Sequence, residues 1–338
     1  MPTWVNRPEG SNWGDFGPDD QLGTLNYITQ TERLAAVAEI REGRAFCLSL
    51  PLDLPGKVSL NPRRKPPRLA PTCLGDTPYI NYPLSNVDPL LKDVLSDDQV
   101  LLSTQYSTQW DSLAHVGALF DADGDGVAER CYYNGHRADV DVLGDGVEGD
   151  HASYARRLSV CEMAKTPIQG RGVLVDFTRH FGLDRVIVTR AILEDVLAKD
   201  GIAVRPGDIL MLRTGYSEAL MDMQDNPDPE KLSHHVGAVL DGTDSALHDW
   251  ITDRRIAAIA ADNYAVENPD ADPHACCLRL PLHHHCLFKL GLPLAELWYL
   301  RDLAEALHAA GRHAMLLTAP PLYLPGAIGS PVTPVATI

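Results

Sequence analysis

The chain has 338 residues, and its 46 acidic against 29 basic side chains give a formal charge of −17. That balance repels the phosphate backbone of nucleic acid and an anionic membrane surface, and it needs no further role than solubility. No apolar run approaches the roughly 18 residues that span a bilayer, and no charged n-region precedes an apolar h-region, so a soluble, cytoplasmic protein is expected.

The length allows one large α/β domain or two ordinary ones, and no boundary between two is visible. Thr29 followed by Glu32 makes a capping box, Leu34, Val37 and Ala38 form a stripe, and Gly43 offers a stop, so a helix is expected over 30–42. The Pro-rich stretches at 62–71 and 320–325 are short and flanked by apolar residues, which reads as surface loop rather than linker. Further helices are expected at 190–200, 243–253, 283–290 and 301–310. Thr189 and Gly201 bracket the first of these. Apolar runs at 172–176, 208–213, 256–260 and 314–318 read as buried strands, and strands mixed with helices point to an α/β core. Seven scattered cysteines form no C-x-x-C pair and read as reduced thiols.

Residues 105–115 carry the most chemistry. In an extended strand Gln105, Ser107, Gln109 and Asp111 would point the same way, a row of oxygen donors. Four residues past Asp111 stands His115, able to give or take a proton near neutral pH. The row reads as half of a metal-assisted hydrolytic site, or as the solvent face of an ordinary half-buried strand.

Three other motifs compete. Gly144 to Gly149 satisfies G-x-G-x-x-G, but Asp145, Glu148 and Asp150 would crowd a pyrophosphate, and a surface turn fits better. Asp121, Asp123, Asp125 and Glu129 resemble a calcium loop whose twelfth position is Tyr132 instead of a bidentate Glu, so an acidic turn competes with a calcium site. Gly215-Tyr216-Ser217-Glu218-Ala219 approximates a nucleophile elbow centred on Ser217, with its final glycine missing.

The spacing from Gln105 to His115 resembles the signature of the cyclase family of metal-dependent hydrolases, His-x-Gly-Thr-His-x-Asp-x-Pro-x-His. Thr108, Asp111 and His115 match it, while Gln105 and Gln109 replace two histidines, Ser107 the glycine and Leu113 the proline. Downstream, His284 and Glu296 fall where the family closes its metal site, and segments such as 171–176, 207–215 and 329–334 look like family segments in the right order. The opening, from Asn12-Trp13-Gly14 to Gly23-Thr24-Leu25-Asn26, is similar to the longer members.

The resemblance implies one compact domain of the swivelling β/β/α type over 1–338, with an N-terminal extension of about 45 residues, and a dimer or tetramer. It implies His115 as catalytic acid/base and Gln105, Gln109, Asp111, His284 and Glu296 around a divalent metal. Exchanging imidazoles for carboxamides leaves an oxygen-rich set, which shifts the expected ion from Zn²⁺ toward Mn²⁺, Mg²⁺ or Ca²⁺. The expected reaction is hydrolysis of an amide, lactam, lactone or ester carbonyl of a small molecule, with Trp13 and His136 as candidate substrate contacts. A metal-free acid/base enzyme and a non-catalytic binding protein are the alternatives.

Overall fold

The computed structural model describes residues 4–56, 60–144, 152–224, 226–272, 274 and 277–338. Its spine is a nine-stranded mixed sheet. The strands are β1 (Ala45–Cys47), β2 (Gln109–Asp111), β3 (Gln169–Asp176), β4 (Ile209–Arg213), β5 (Ala258–Ala261), β6 (Leu294–Glu296), β7 (Ala314–Thr318), β8 (Gly329–Pro331) and β9 (Val335–Thr337). They lie in the order β1-β9-β7-β3-β4-β5-β6-β2-β8. β3, β4, β5 and β6 run parallel, and the remaining pairings are antiparallel.

The central strands read as unbroken apolar runs because both faces are covered. Val173, Val175, Leu210, Leu212 and Ile259 point into one core cluster, and Leu174, Met211, Ala258, Ala260 and Trp110 into the other. The helices that supply the covering layers follow their local signals. Thr29 and Glu32 close a complete capping box on α1 (Gln30–Val37). Thr189 caps α2 (Arg190–Asp200), and Gly201 ends it in the left-handed region at φ 66°. Then come α3 (Tyr216–Asp222), α4 (Ser245–Arg254) and α5 (Arg301–Ala309).

Two expected elements differ from the sequence reading. The first helix stops at Val37 rather than 42, and the chain turns on to Gly43 at φ 70°. The helix expected at 283–290 begins at Pro281 and changes to π geometry over His284–Leu290. The N-terminal extension is woven into both layers: Trp13 joins the first core cluster, Leu25 and Ile28 the second.

Between β1 and β2 an exposed arm leaves the body. Its strands Arg68–Pro71 and Asp98–Leu101 pair antiparallel, followed outward by two shorter hairpin pairs. Among the described residues no helix is long and apolar enough to cross a membrane.

Candidate active site

The strand expected to carry the whole oxygen row is short. Only Gln109 to Asp111 are extended, and residues 104–108 form a turn, so the period-two alternation does not reach back to Gln105 or Ser107. Within β2, Gln109 and Asp111 face one layer, and Trp110 faces the other, donating its indole N–H to the Ala319 carbonyl. Gln109 is directly opposite Glu296 in the ladder, which puts a carboxamide between two carboxylates. Ser107 turns away and donates to the Pro51 carbonyl. Thr108 ties the segment down, donating to the Leu297 carbonyl and accepting from the Leu50 N–H.

Gln105 returns to the site from the turn. Its Nε2 donates to Asp111 Oδ1 and lies 2.9 Å from His115 Nδ1. A Cβ on Gly329 would stand 2.3 Å from Gln105 Cγ, so glycine in β8 is what admits this side chain.

His283, and not His284, completes the group. Ligand atoms of Asp111, His283 and Glu296 all lie within 4.8 Å of one another, and all three residues are buried. Successive helical residues rotate by about 100°, so only one of the three adjacent histidines can face the sheet. Glu267 decides which one. Its carboxylate accepts from the backbone N–H of Leu282 at 2.9 Å and of His283 at 2.8 Å, capping the helix that Pro281 opens, and it also contacts His283 Nδ1 at 2.8 Å. His283 Nε2 is thereby aimed at Glu296 Oε1, 3.4 Å away. His284 instead tilts against the Phe288 ring at 5.0 Å, and His285 stacks on His248 at 4.4 Å.

Glu267 is held by a strained bend after β5. Ala265 and Val266 have φ of 74° and 58°, outside the usual range for such residues. Asn263 braces the bend by donating to the Ala238 carbonyl at 2.9 Å and the Val266 carbonyl at 3.5 Å.

The electrostatics fit a cation. Asp111 Oδ2 is buried with no hydrogen-bond partner. In the orientation that satisfies the Gln109 carboxamide, its nitrogen donates to the Gln105 carbonyl at 2.6 Å and the Ser107 carbonyl at 3.1 Å. As placed, Gln109 Nε2 donates to Glu296 at 3.3 Å and Asp111 at 3.4 Å, and in the turned orientation the Gln109 oxygen takes that corner instead. Three oxygens so close repel one another unless a positive charge sits among them. Burial works against charge on both His283 and Glu296, but hydrogen bonds to Glu267 and then Glu296 hold the imidazole above its usual range, and His283, with Arg64 adding to it, holds the Glu296 carboxyl below its own. Burial pulls the His115 imidazole down, against the pull of Asp111, whose Oδ1 is 4.0 Å from Nε2.

His115, His283 and Glu296 line a cavity of about 490 Å³ whose walls include Tyr216, Tyr264 and Leu232. Neither Trp13 nor His136 lines it. Trp13 is fully buried, with its indole N–H on the Phe288 carbonyl at 2.8 Å, and buttresses the π-helical turn. His136 is enclosed near Asp141, 3.5 Å away. Glu267 and Tyr264 had no periodic or motif signal in the sequence, and Tyr216 figures there only as part of the elbow-like segment around Ser217. They reach the site only through the bend after β5 and the turn after β4.

The competing motifs resolve differently. Ser217 Oγ is buried, and among the described residues it has no hydrogen-bond partner that could serve as an activating base. The turn before it is structural: Thr214 and Gly215 donate to the buried Asp262 carboxylate. Asp121 accepts from the N–H groups of Gly124, Asp125 and Gly126 in an acidic turn, and Glu129 pairs with Arg137 at 3.1 Å. Ligand atoms of Asp121, Asp123 and Asp125 lie within 4.8 Å of one another, so the turn keeps a set able to hold a cation. Asp145 to Gly149 lie outside the described residues.

Comparison with known proteins places this geometry. The Cyclase family model matches residues 48–268, which includes the 105–115 segment and Glu267. A crystal structure described as a novel cyclase is 33% identical, covering 97% of each chain with a TM-score of 0.75. Isatin hydrolase A from Labrenzia aggregata is 15% identical, with 91% of this chain and 98% of that chain covered at a TM-score of 0.55. Isatin hydrolase A from Ralstonia solanacearum is also 15% identical, with 91% and 97% covered at 0.52. At that identity the two hydrolases share the fold. No protein of curated function matches the chain.

Proposed function

The chain belongs to the cyclase family, and on that premise we propose that it is a metal-dependent hydrolase acting on an amide, lactam, lactone or ester carbonyl of a small, cyclic or aromatic molecule. The observation that carries this reading is the buried convergence of Asp111, His283 and Glu296 on the cavity floor, with Asp111 Oδ2 lacking any other partner.

Asp111, His283 and Glu296 would hold a divalent cation, with Gln109 as a neutral oxygen donor. Such an ion supplies Lewis acidity, polarising the carbonyl and making water a stronger nucleophile. With one imidazole among oxygens the set favours Mn²⁺ over Zn²⁺. Glu267 fixes the tautomer of His283 through Nδ1, leaving Nε2 for the ion.

His115 moves the proton. Water adds to the carbonyl carbon, its proton passes to His115 Nε2, and the same proton is returned to the departing nitrogen or oxygen as the C–N or C–O bond breaks. Gln105 orients the ring through Nδ1. For Nε2 to take that proton the neutral ring carries its hydrogen on Nδ1, so in both states of the reaction the Gln105 carboxamide, 2.9 Å away, would turn its oxygen to Nδ1 and accept from Nδ1–H. Gln105 is thus a positioning residue rather than a ligand. The exposed arm, with Leu69, Leu74, Leu90 and Leu101 open to solvent, supports self-association as a dimer or tetramer.

The test is elemental analysis of protein purified without chelator, joined to a hydrolysis panel of cyclic amides and lactones. Bound divalent metal is expected, and His115→Ala should lower turnover about 10² to 10⁴-fold without shifting the melting temperature. Activity surviving exhaustive chelation would select metal-free acid/base chemistry instead. An untouched panel with a tightly retained ligand would select a binding protein.

A further inference from the structure

The molecule is strongly acidic, yet the cavity above His115 gathers guanidinium groups: Arg63, Arg64, Arg185 and Arg279 all line it. The two carboxylates in the same lining each have a nearer partner than the arginines, although the charge of Asp270 still reaches Arg185 and that of Glu296 reaches Arg64. Asp270 lies 3.0 Å from His234 Nδ1, and Glu296 faces His283. Elsewhere the chain pairs its sheltered arginines thoroughly. Arg171 bridges Glu39 and Asp208, and Arg213 bridges Asp176 and Glu218. Among the described residues no carboxylate comes within 4.0 Å of any of the four cavity arginines.

Arg63 and Arg279 are exposed at the rim, whereas Arg64 and Arg185 are partly sheltered. Arg185 is half-buried, and its fork rests on the Ser233 carbonyl at 2.9 Å and the Val236 carbonyl at 3.3 Å. Arg64 lies over the Tyr264 ring at 6.0 Å, toward the catalytic end. A partly desolvated guanidinium without a counter-charge is costly, and its planar donors match a carboxylate. Tyr216, Tyr264, Leu232 and Leu280 supply apolar wall between the arginines and the floor.

We propose that the substrate is an anion, a small amide, lactam, lactone or ester whose non-reacting end bears a carboxylate held by Arg64, Arg185 and Arg279, with its scissile carbonyl at His115, His283 and Glu296. The position of the carbonyl rests on the hydrolase reading; the recognition of the anion does not.

Calorimetric binding to the metal-replete protein tests it without turnover. The probes are N-acetylanthranilate, N-acetylglycine and N-acetylglutamate, each against its carboxamide counterpart. At least one carboxylate should bind about tenfold or more tightly than its carboxamide, and added salt should narrow that gap. Arg64→Met and Arg279→Met should each remove most of the preference. Arg279 is exposed and the Arg64 side chain makes no hydrogen bond among the described residues, so both variants should keep the wild-type melting temperature. The proposal is overturned if no carboxylate outbinds its carboxamide, or if both arginine variants bind like wild type. Anion binding with no hydrolysis of any probe would count against the hydrolase reading and leave this one standing.

Discussion

Glu267 contacts nothing in the cavity, yet it sets the orientation of the histidine that does. Glu267→Gln keeps the shape but removes the charge that fixes His283 through Nδ1. Metal affinity should fall about 10 to 100-fold, read by competition with a chromophoric chelator. An unchanged affinity would mean that His283 is not a ligand. The two glutamines of the motif separate at this same scale. Gln109, on the strand and opposite Glu296, sets its carboxamide between the two carboxylates, whereas Gln105, in the turn, turns a nitrogen toward Asp111 and His115. Residue type and spacing made them equivalent in the sequence, because both lie an even number of positions from Asp111. The turn at 104–108 breaks that parity.

Elements decide which histidine enters the site. The adjacent run His283-His284-His285 was visible in the sequence, and so was the rule that the three cannot all face one metal. The phase of the helix was not visible, since it is set by a cap sixteen positions earlier in the chain, on a bend with two residues at positive φ. Gly242 makes room for that cap, because a Cβ there would lie 2.0 Å from Glu267 Oε2 and 3.2 Å from the Leu282 nitrogen. Gly242→Ala should therefore cost about 1 to 3 kcal/mol in urea unfolding and weaken metal binding along with it. A variant with wild-type stability and full metal content would show that the bend gives way freely. Where local signals sufficed, as with Thr29 and Glu32 or Thr189 and Gly201, the start and stop of a helix could be read directly, apart from the early end of the first helix at Val37.

At the scale of the molecule, Glu39 clamps the N-terminal extension to the sheet by pairing with Arg171 on β3 and Arg312 just before β7. Burial alone would raise its carboxyl, but the two guanidiniums outweigh that and hold it below the usual range. A depressed carboxyl contributes stability that is complete above the unfolded value near pH 4.3 and is lost as pH falls through the folded one. Glu39→Gln should cost about 1.5 to 3 kcal/mol at pH 7, and the gap from wild type should close below about pH 4. A gap that stays constant across the acid limb of denaturation curves would sink this account. The arm between β1 and β2 makes the complementary case. Leu90 is 85% exposed there, so light scattering should report a dimer or larger species and Leu90→Asp should shift it toward monomer. A wild-type monomer would contradict the self-association.

The α/β class and the buried strands at the centre of the sheet were readable from apolar runs and caps, and the resemblance to the cyclase family is what named Asp111 and Glu296 for one site. Those signals are local or carried by short ordered segments, so no tertiary contact was needed to see them. Three things required the folded chain: the substitution of His283 for His284, the buried positions of Trp13 and His136, and the ring of arginines above the floor. Each depends on which side of an element meets which neighbour. That choice is made by residues such as Glu267 and Gly242, far off in sequence and silent until the chain is packed.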